Sequence, residues 1–175
     1  MHKLPVLGIV AASSKVGKTT LVTQLIPALA KRNIRVSVIK HAHHRFDIDY
    51  PGKDSYKIRQ AGAIQTLIAS NQRWALMTEL AQEPDVETLI AQINPSYADL
   101  ILVEGFKLAN IPKIEVHRPS LGLPLLAEND SNIIAIASDA TLHIQQPVLS
   151  LNNIEQIVAF IGRYFELEAP SLVLK

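Results

Sequence analysis

An apolar run over residues 4–11 leads directly into Ala12-Ser13-Ser14-Lys15-Val16-Gly17-Lys18-Thr19, with Thr20 following. The pattern G-x-x-x-x-G-K-[ST] between a strand and a helix is a phosphate-binding loop. Here Ala12 holds the first glycine position, while Gly17, Lys18 and Thr19 stand where the pattern needs them. Backbone N–H groups of such a loop and of the helix start converge on phosphate oxygens, and the positive end of the helix dipole adds to the attraction. Gly17 lets the backbone pass close to the ligand. Lys18 supplies a mobile charge for the β- and γ-phosphates, and the Thr19 hydroxyl can ligate Mg²⁺. An ordinary Ser/Gly turn capping a helix is the plain alternative, and the correct strand and helix contexts on both sides argue against it. The expected ligand class is a nucleoside phosphate held by Ser13, Ser14, Lys15, Val16, Gly17, Lys18, Thr19 and Thr20.

The 175 residues suit one nucleotide-binding domain spanning 1–175, long enough for a substantial core. Apolar residues make up 48% and charged residues 19%, as in globular proteins. Net charge is +1 without a block of Lys and Arg, so no nucleic-acid or anionic-membrane partner is expected. The absence of cysteine removes disulfides, Cys-ligated zinc, iron–sulfur clusters and a thiol nucleophile. Lys3, the apolar run and Ala11-Ala12 mimic a secretory signal, but the run is short, carries Pro5 and Gly8, and enters the phosphate loop. No apolar stretch approaches the ~20 residues of a membrane span. The expected compartment is the cytoplasm.

Apolar runs alternating with helix-like patterns predict a three-layer α/β fold, a mainly parallel sheet with helices on both faces. Strands are expected at 4–11, 34–40, 100–103 and 133–137, and helices at 18–32, 84–93 and 154–165. Pro27 predicts a kink in the first helix, and Asn33 its stop. Asp54 suits the cap of a short helix to Ala61, with Gly62 behind it. Runs 64–69 and 74–78 read as an antiparallel hairpin extending the sheet, and 113–117, flanked by Pro112 and Pro119, as an edge strand.

Glu104 ends the buried run 100–103, where a carboxylate beside the phosphate loop would hold Mg²⁺ opposite Thr19, and Gly105 would relieve crowding as the chain turns. His41, His43 and His44, with Asp47 and Asp49 behind, are competent transition-metal ligands, yet no spacing fixes a complete set. They read more readily as polar loop residues near phosphate or protein. Pro51-Gly52 turns the chain sharply into Lys53, Asp54 and Ser55, with Arg59 about one turn on. Segments that sense the γ-phosphate occur after the second strand, although Asp54 reads equally as a simple cap. Asp139, after Ala137-Ser138, could accept both hydrogen bonds from guanine N1–H and its exocyclic amine, or lie in a solvated turn.

These motifs together resemble the molybdopterin-guanine dinucleotide biosynthesis protein B family. The similarity runs through 14–20, Ile39-Lys40-His41 with His43-His44, Pro51-Gly52-Lys53-Asp54-Ser55 with Arg59, and Ala61-Gly62-Ala63. It continues through 73–79, 100–107 and Ala137-Ser138-Asp139, and so covers nearly the whole chain to about residue 165. Ala12 in place of the first glycine fits this family. The resemblance implies a dimeric GTP-binding P-loop protein with weak GTPase activity. It would assist the guanylyltransferase that attaches GMP to molybdopterin, as an adaptor presenting nucleotide or cofactor. On this reading Mg²⁺ lies between Thr19 and Glu104, Lys18 neutralises charge on the γ-phosphate, and Asp54 or Asp49 orients the attacking water. No arginine is obviously placed as an internal finger. The rival readings are a metal-insertion GTPase using the histidines and a P-loop small-molecule kinase.

Overall fold

The structure is a computed structural model that describes residues 4–42 and 46–167. Along the chain come β1 (Val6–Val10), α1 (Lys18–Ala30), β2 (Val36–Lys40), α2 (Asp54–Gln60), β3 (Gln65–Ala69), β4 (Trp74–Thr78) and α3 (Val86–Ile90). After these follow β5 (Leu100–Glu104), β6 (Lys113–His117), β7 (Ile133–Ser138), β8 (Val148–Ser150) and α4 (Ile154–Tyr164). Two compact units result, one from residues 42–85 and one from the rest.

In the larger unit six strands form one sheet in the order β2-β5-β1-β6-β7-β8, and every neighbouring pair is parallel. Side chains alternate faces along each strand. Leu7, Ile9, Leu100, Leu102, Ile114 and Val116 therefore pack with Leu21, Leu25 and Leu29 of α1 and Ile157, Val158 and Ile161 of α4. Ile101 and Val103 face the other way, against Val86, Leu89 and Ile90 of α3. These are the three layers expected. The order reverses about β1: one crossover leads left to β2, and the connection from β5 jumps across β1 to β6. In open α/β sheets ligands bind outside the carboxyl ends of strands at such a switch point, and the phosphate loop leaves β1 there.

Local chemistry explains the ends of α1. Asn33 adopts φ +60°, its N–H donating to the Ala30 carbonyl at 2.9 Å while Ile34 N–H reaches Leu29 at 3.1 Å. This paired 5→2 and 6→1 closure satisfies carbonyls that a helix end leaves open. Pro27 lies inside α1. At the far end of the sheet, Arg35 binds Asp99 through its backbone N–H (2.8 Å), Nε (3.0 Å) and Nη2 (2.8 Å), fastening the start of β2 to the start of β5.

Three expectations are corrected, two of them in the smaller unit. The run 113–117 is not an edge strand: β6 lies between β1 and β7, and all five residues are buried. Its prolines fall outside the strand and remove no ladder donor. Lys113 and Glu115 find their partners inside the protein. Lys113 Nζ donates to the Lys107 and Ala109 carbonyls (2.9 and 2.8 Å) and pairs with Asp130 at 2.6 Å. The Glu115 carboxylate accepts from the N–H groups of Leu126 and Ala127, at 2.9 and 3.0 Å. Gly8 is the register partner of Lys113, and a Cβ there would lie 2.6 Å from Lys113 Cγ. The strand β8 was not anticipated, being only three residues long.

The smaller unit holds α2 and the hairpin of β3 and β4. The hairpin forms at the expected residues, but as a separate two-stranded sheet and not as an extension of the six-stranded one. Its turn is closed by Ser70, whose Oγ accepts from the N–H groups of Gln72 and Arg73. Lys53, not Asp54, takes the cap position of α2, and Asp54 is its first residue. Among the described residues no helix is long and apolar enough to cross a membrane.

The Arg35 hydrogen bonds hold the Asp99 carboxyl at about 2, below its ordinary value of 3.8. A lowered carboxyl contributes stability above its unfolded value that is lost as pH falls through the folded one. Asp99→Asn should therefore be less stable than the parent at pH 7, and the deficit should shrink as pH falls from about 4 towards 2. Urea denaturation across that range measures it.

Candidate functional site

The loop between β1 and α1 uses two left-handed residues, Lys15 (φ +61°) and Gly17 (φ +119°). Gly17 caps α1 without a side-chain hydrogen bond, and no acidic residue occupies the first turn. The N–H groups at the helix start thus meet no competing carboxylate of that turn, as an anion site requires. Lys18 Nζ folds back to the Ser13 carbonyl at 2.9 Å and spans the loop. Burial lowers the Lys18 pKa first; Glu104 opposes this, while Lys107 and Lys40 add to the lowering.

Next to the loop, β5 delivers Glu104 and β2 delivers Lys40, register partners across the sheet. The Thr19 hydroxyl donates to Glu104 Oε1 at 2.6 Å, and Glu104 is only 7% exposed. Lys40 Nζ lies 3.2 Å from Thr19 Oγ1 and 3.3 Å from Glu104 Oε1. Two hard oxygen donors converge here with a cationic group on both, so the residues fit a divalent cation of the Mg²⁺ type. Gly105 is required behind them. It adopts φ +102°, and a Cβ would meet His41 Cβ at 2.7 Å. Phe106 follows at φ +52°, uncommon for a bulky residue, and its ring stacks on His41 with centroids 4.5 Å apart. Lys107 then reaches the Ala12 carbonyl at 3.3 Å.

On the other flank of the loop, Arg118 leaves the end of β6. Its Nε donates to the Val16 carbonyl at 3.0 Å, and its Nη1 makes a short ion pair with Asp139, just past β7. A cleft of about 190 Å³ opens beside it, lined also by Gly17, Thr20, Gln24 and Asn152. The geometry therefore brings Ser13, Val16, Gly17, Lys18, Thr19, Glu104 and Asp139 to one end of the sheet. Lys40, Lys107 and Arg118 complete the surroundings, although sequence reasoning gave none of them a role. Their available signal was position: Lys107 and Arg118 lie just beyond the carboxyl ends of β5 and β6, the neighbours of β1, and Lys40 ends β2, the neighbour of β5.

Asp49 and Asp54 belong to the smaller unit. Asp49 is 4% exposed, and its Oδ1 accepts from Arg59 Nη2 at 2.7 Å. Arg59 also reaches Asp47 at 3.0 Å and Glu79 at 3.4 Å, and the hydrogen bonds to Asp49, foremost, and to Glu79 raise its already high pKa. Asp54 is exposed and pairs with Lys57 at 3.3 Å. His43 and His44 lie outside the described residues. Among the described residues no group of three His, Cys, Asp or Glu is placed to hold a metal ion.

With this geometry in view, similarity to known proteins is informative. The sequence model of the family described as "Molybdopterin guanine dinucleotide synthesis protein B" matches residues 6–139. The molybdopterin-guanine dinucleotide biosynthesis adapter protein of Escherichia coli K12 is 47% identical over 159 residues, 89% of this chain and 91% of that protein. The adapter protein of Haemophilus influenzae is 44% identical over 163 residues, 93% and 90% of the two chains. A crystal structure of a molybdopterin-guanine biosynthesis protein B aligns with TM-score 0.73 at 29% identity, covering 92% of this chain and 99% of that one.

Gly105→Ala should destabilise the protein by about 1–3 kcal/mol, because the added methyl has no room and the backbone angle is strained. Thermal or urea denaturation checks this.

Proposed function

The chain belongs to the molybdopterin guanine dinucleotide synthesis protein B family, and from that premise we propose that it is a GTP-binding adaptor with slow GTPase activity. It assists the guanylyltransferase that attaches GMP to molybdopterin, and molybdopterin itself is a further candidate ligand. The observation that carries the reading is the convergence of the Thr19 hydroxyl and the buried Glu104 carboxylate beside the uncapped start of α1. That combination suits a nucleotide with its Mg²⁺ and suits few other ligands.

Residues 13–20 would receive the phosphates, with Lys18 leaving the Ser13 carbonyl for a phosphate oxygen. Thr19 and Glu104 would hold Mg²⁺, which when bound neutralises phosphate charge. Phosphoryl transfer to water is mostly positioning and electrostatics, so Lys18 stabilises charge on the γ-phosphate. Asp139 reads guanine through its N1–H and amine. We place the protein in the cytoplasm as a homodimer. The exposed apolar face of the hairpin, Leu67 paired with Leu76 and Trp74 beside them, supports self-association.

Calorimetric titration with GTP and ATP, each with Mg²⁺, tests the assignment. GTP should bind more tightly, each tenfold amounting to about 1.4 kcal/mol. Lys18→Ala should weaken GTP binding by about tenfold or more, the scale of a lost charge-assisted phosphate contact, with an unchanged melting temperature. Unaltered affinity in that variant would sink the site.

A further inference from the structure

Arg118 has two partners, and both belong to the nucleotide site. Nε holds the Val16 carbonyl of the phosphate loop at 3.0 Å, while Nη1 holds the carboxylate of Asp139. Nη2 lies 3.7 Å from where a Cβ on Gly17 would be. The guanidinium is thus placed between the carboxylate assigned to the base and the loop assigned to the phosphates.

The chemistry of the two donors is the same. Guanine presents N1–H and an exocyclic N–H as a parallel fork, and so does a guanidinium. A carboxylate accepts either fork, and does so best when it is bidentate. Guanine and Arg118 therefore compete for Asp139. Adenine has no such fork and offers no competition. Displacement of Arg118 need not detach it from the loop, because the planar guanidinium can swing as one unit about its Nε–H bond to the Val16 carbonyl.

We propose that Arg118 is a specificity-determining residue that converts base identity into phosphate affinity. Guanine takes Asp139, and the released guanidinium donates to a phosphate oxygen over residues 17–20. With adenine in the cleft, Arg118 stays on Asp139 and the phosphates are held by one cation fewer. This rests on the guanine reading of Asp139 and adds to it the means by which the preference for GTP is enlarged.

The magnitudes favour the exchange. Arg118 and Asp139 side chains are 35% and 26% exposed, and ion pairs at that exposure contribute little. A charge-assisted contact to phosphate is stronger.

The test measures GTP, ATP and guanosine binding to the full chain and to Arg118→Leu. The variant should bind GTP about five- to tenfold more weakly, ATP within about twofold of the parent, and guanosine more tightly, because a competitor has gone and no phosphate contact is lost. Retained ATP binding also reports an intact loop. Equal losses for GTP and ATP would make Arg118 a strut for Val16 and overturn the proposal, as would unchanged GTP affinity. Asp139→Asn tests the underlying reading separately. Asparagine matches xanthine, whose C2 carbonyl replaces the amine, so this variant should exchange GTP for xanthosine triphosphate. If it does and Arg118→Leu shows equal losses, only the role of Arg118 falls. If it keeps its preference for GTP, the guanine reading falls with it.

Discussion

The hydrogen bond from Thr19 to Glu104, 2.6 Å long, joins the first turn of α1 to the last residue of β5, 85 positions later in the chain. It exists because β1 and β5 are parallel neighbours, with Ile9 opposite Glu104. Loop and carboxylate then emerge at the same end of the sheet. Much of the remaining site depends on this alignment. Lys40 comes to Glu104 because β2 pairs with β5 in register, and Gly105 permits the close approach of His41 that the same pairing enforces.

Around the phosphate loop the protein gathers more positive than negative charge. Lys18, Lys40, Lys107 and Arg118 surround a site whose acidic members are Glu104 and Asp139, and each of those carboxylates already has a cation from its own chain. Such an arrangement pairs both carboxylates internally and keeps a cationic surplus, which it can hand to an incoming polyanion without large movements. Fixed backbone donors supply the placement, while lysine and arginine ends supply the adaptation.

Elements carried by strong local patterns were legible in the sequence. The apolar run before 12–19, the 3- and 4-residue spacing of Leu21, Leu25, Ala28 and Leu29, and the wholly apolar 100–103 each point to one structure. Pro112 and Pro119 around 113–117 suggest an edge, where missing donors are tolerated, yet both fall outside the strand. The partners that make Lys113 and Glu115 tolerable inside come from residues 107, 109, 126, 127 and 130, and no window of sequence displays such contacts. The hairpin showed the same limit: its strands and turn are local, whereas whether it extends a larger sheet or stands alone is a tertiary matter. Within the site, Lys18, Thr19 and Glu104 belong to a recognisable pattern. Lys40, Lys107 and Arg118 acquire meaning only when strand order places them beside the loop.

Gly8 and Lys113 carry a consequence for how this sequence can change over time. The absent side chain of one is the room occupied by the stem of the other, and that stem ends in an ammonium that gathers the carbonyls of Lys107 and Ala109. Neither position can drift alone. A lineage that gains bulk at 8 must shorten 113, and with the ammonium gone it needs another tie for the turn that carries Lys107 towards Ala12. A substitution at either of these two positions in the middle of the sheet thus bears on the upkeep of a contact at its rim.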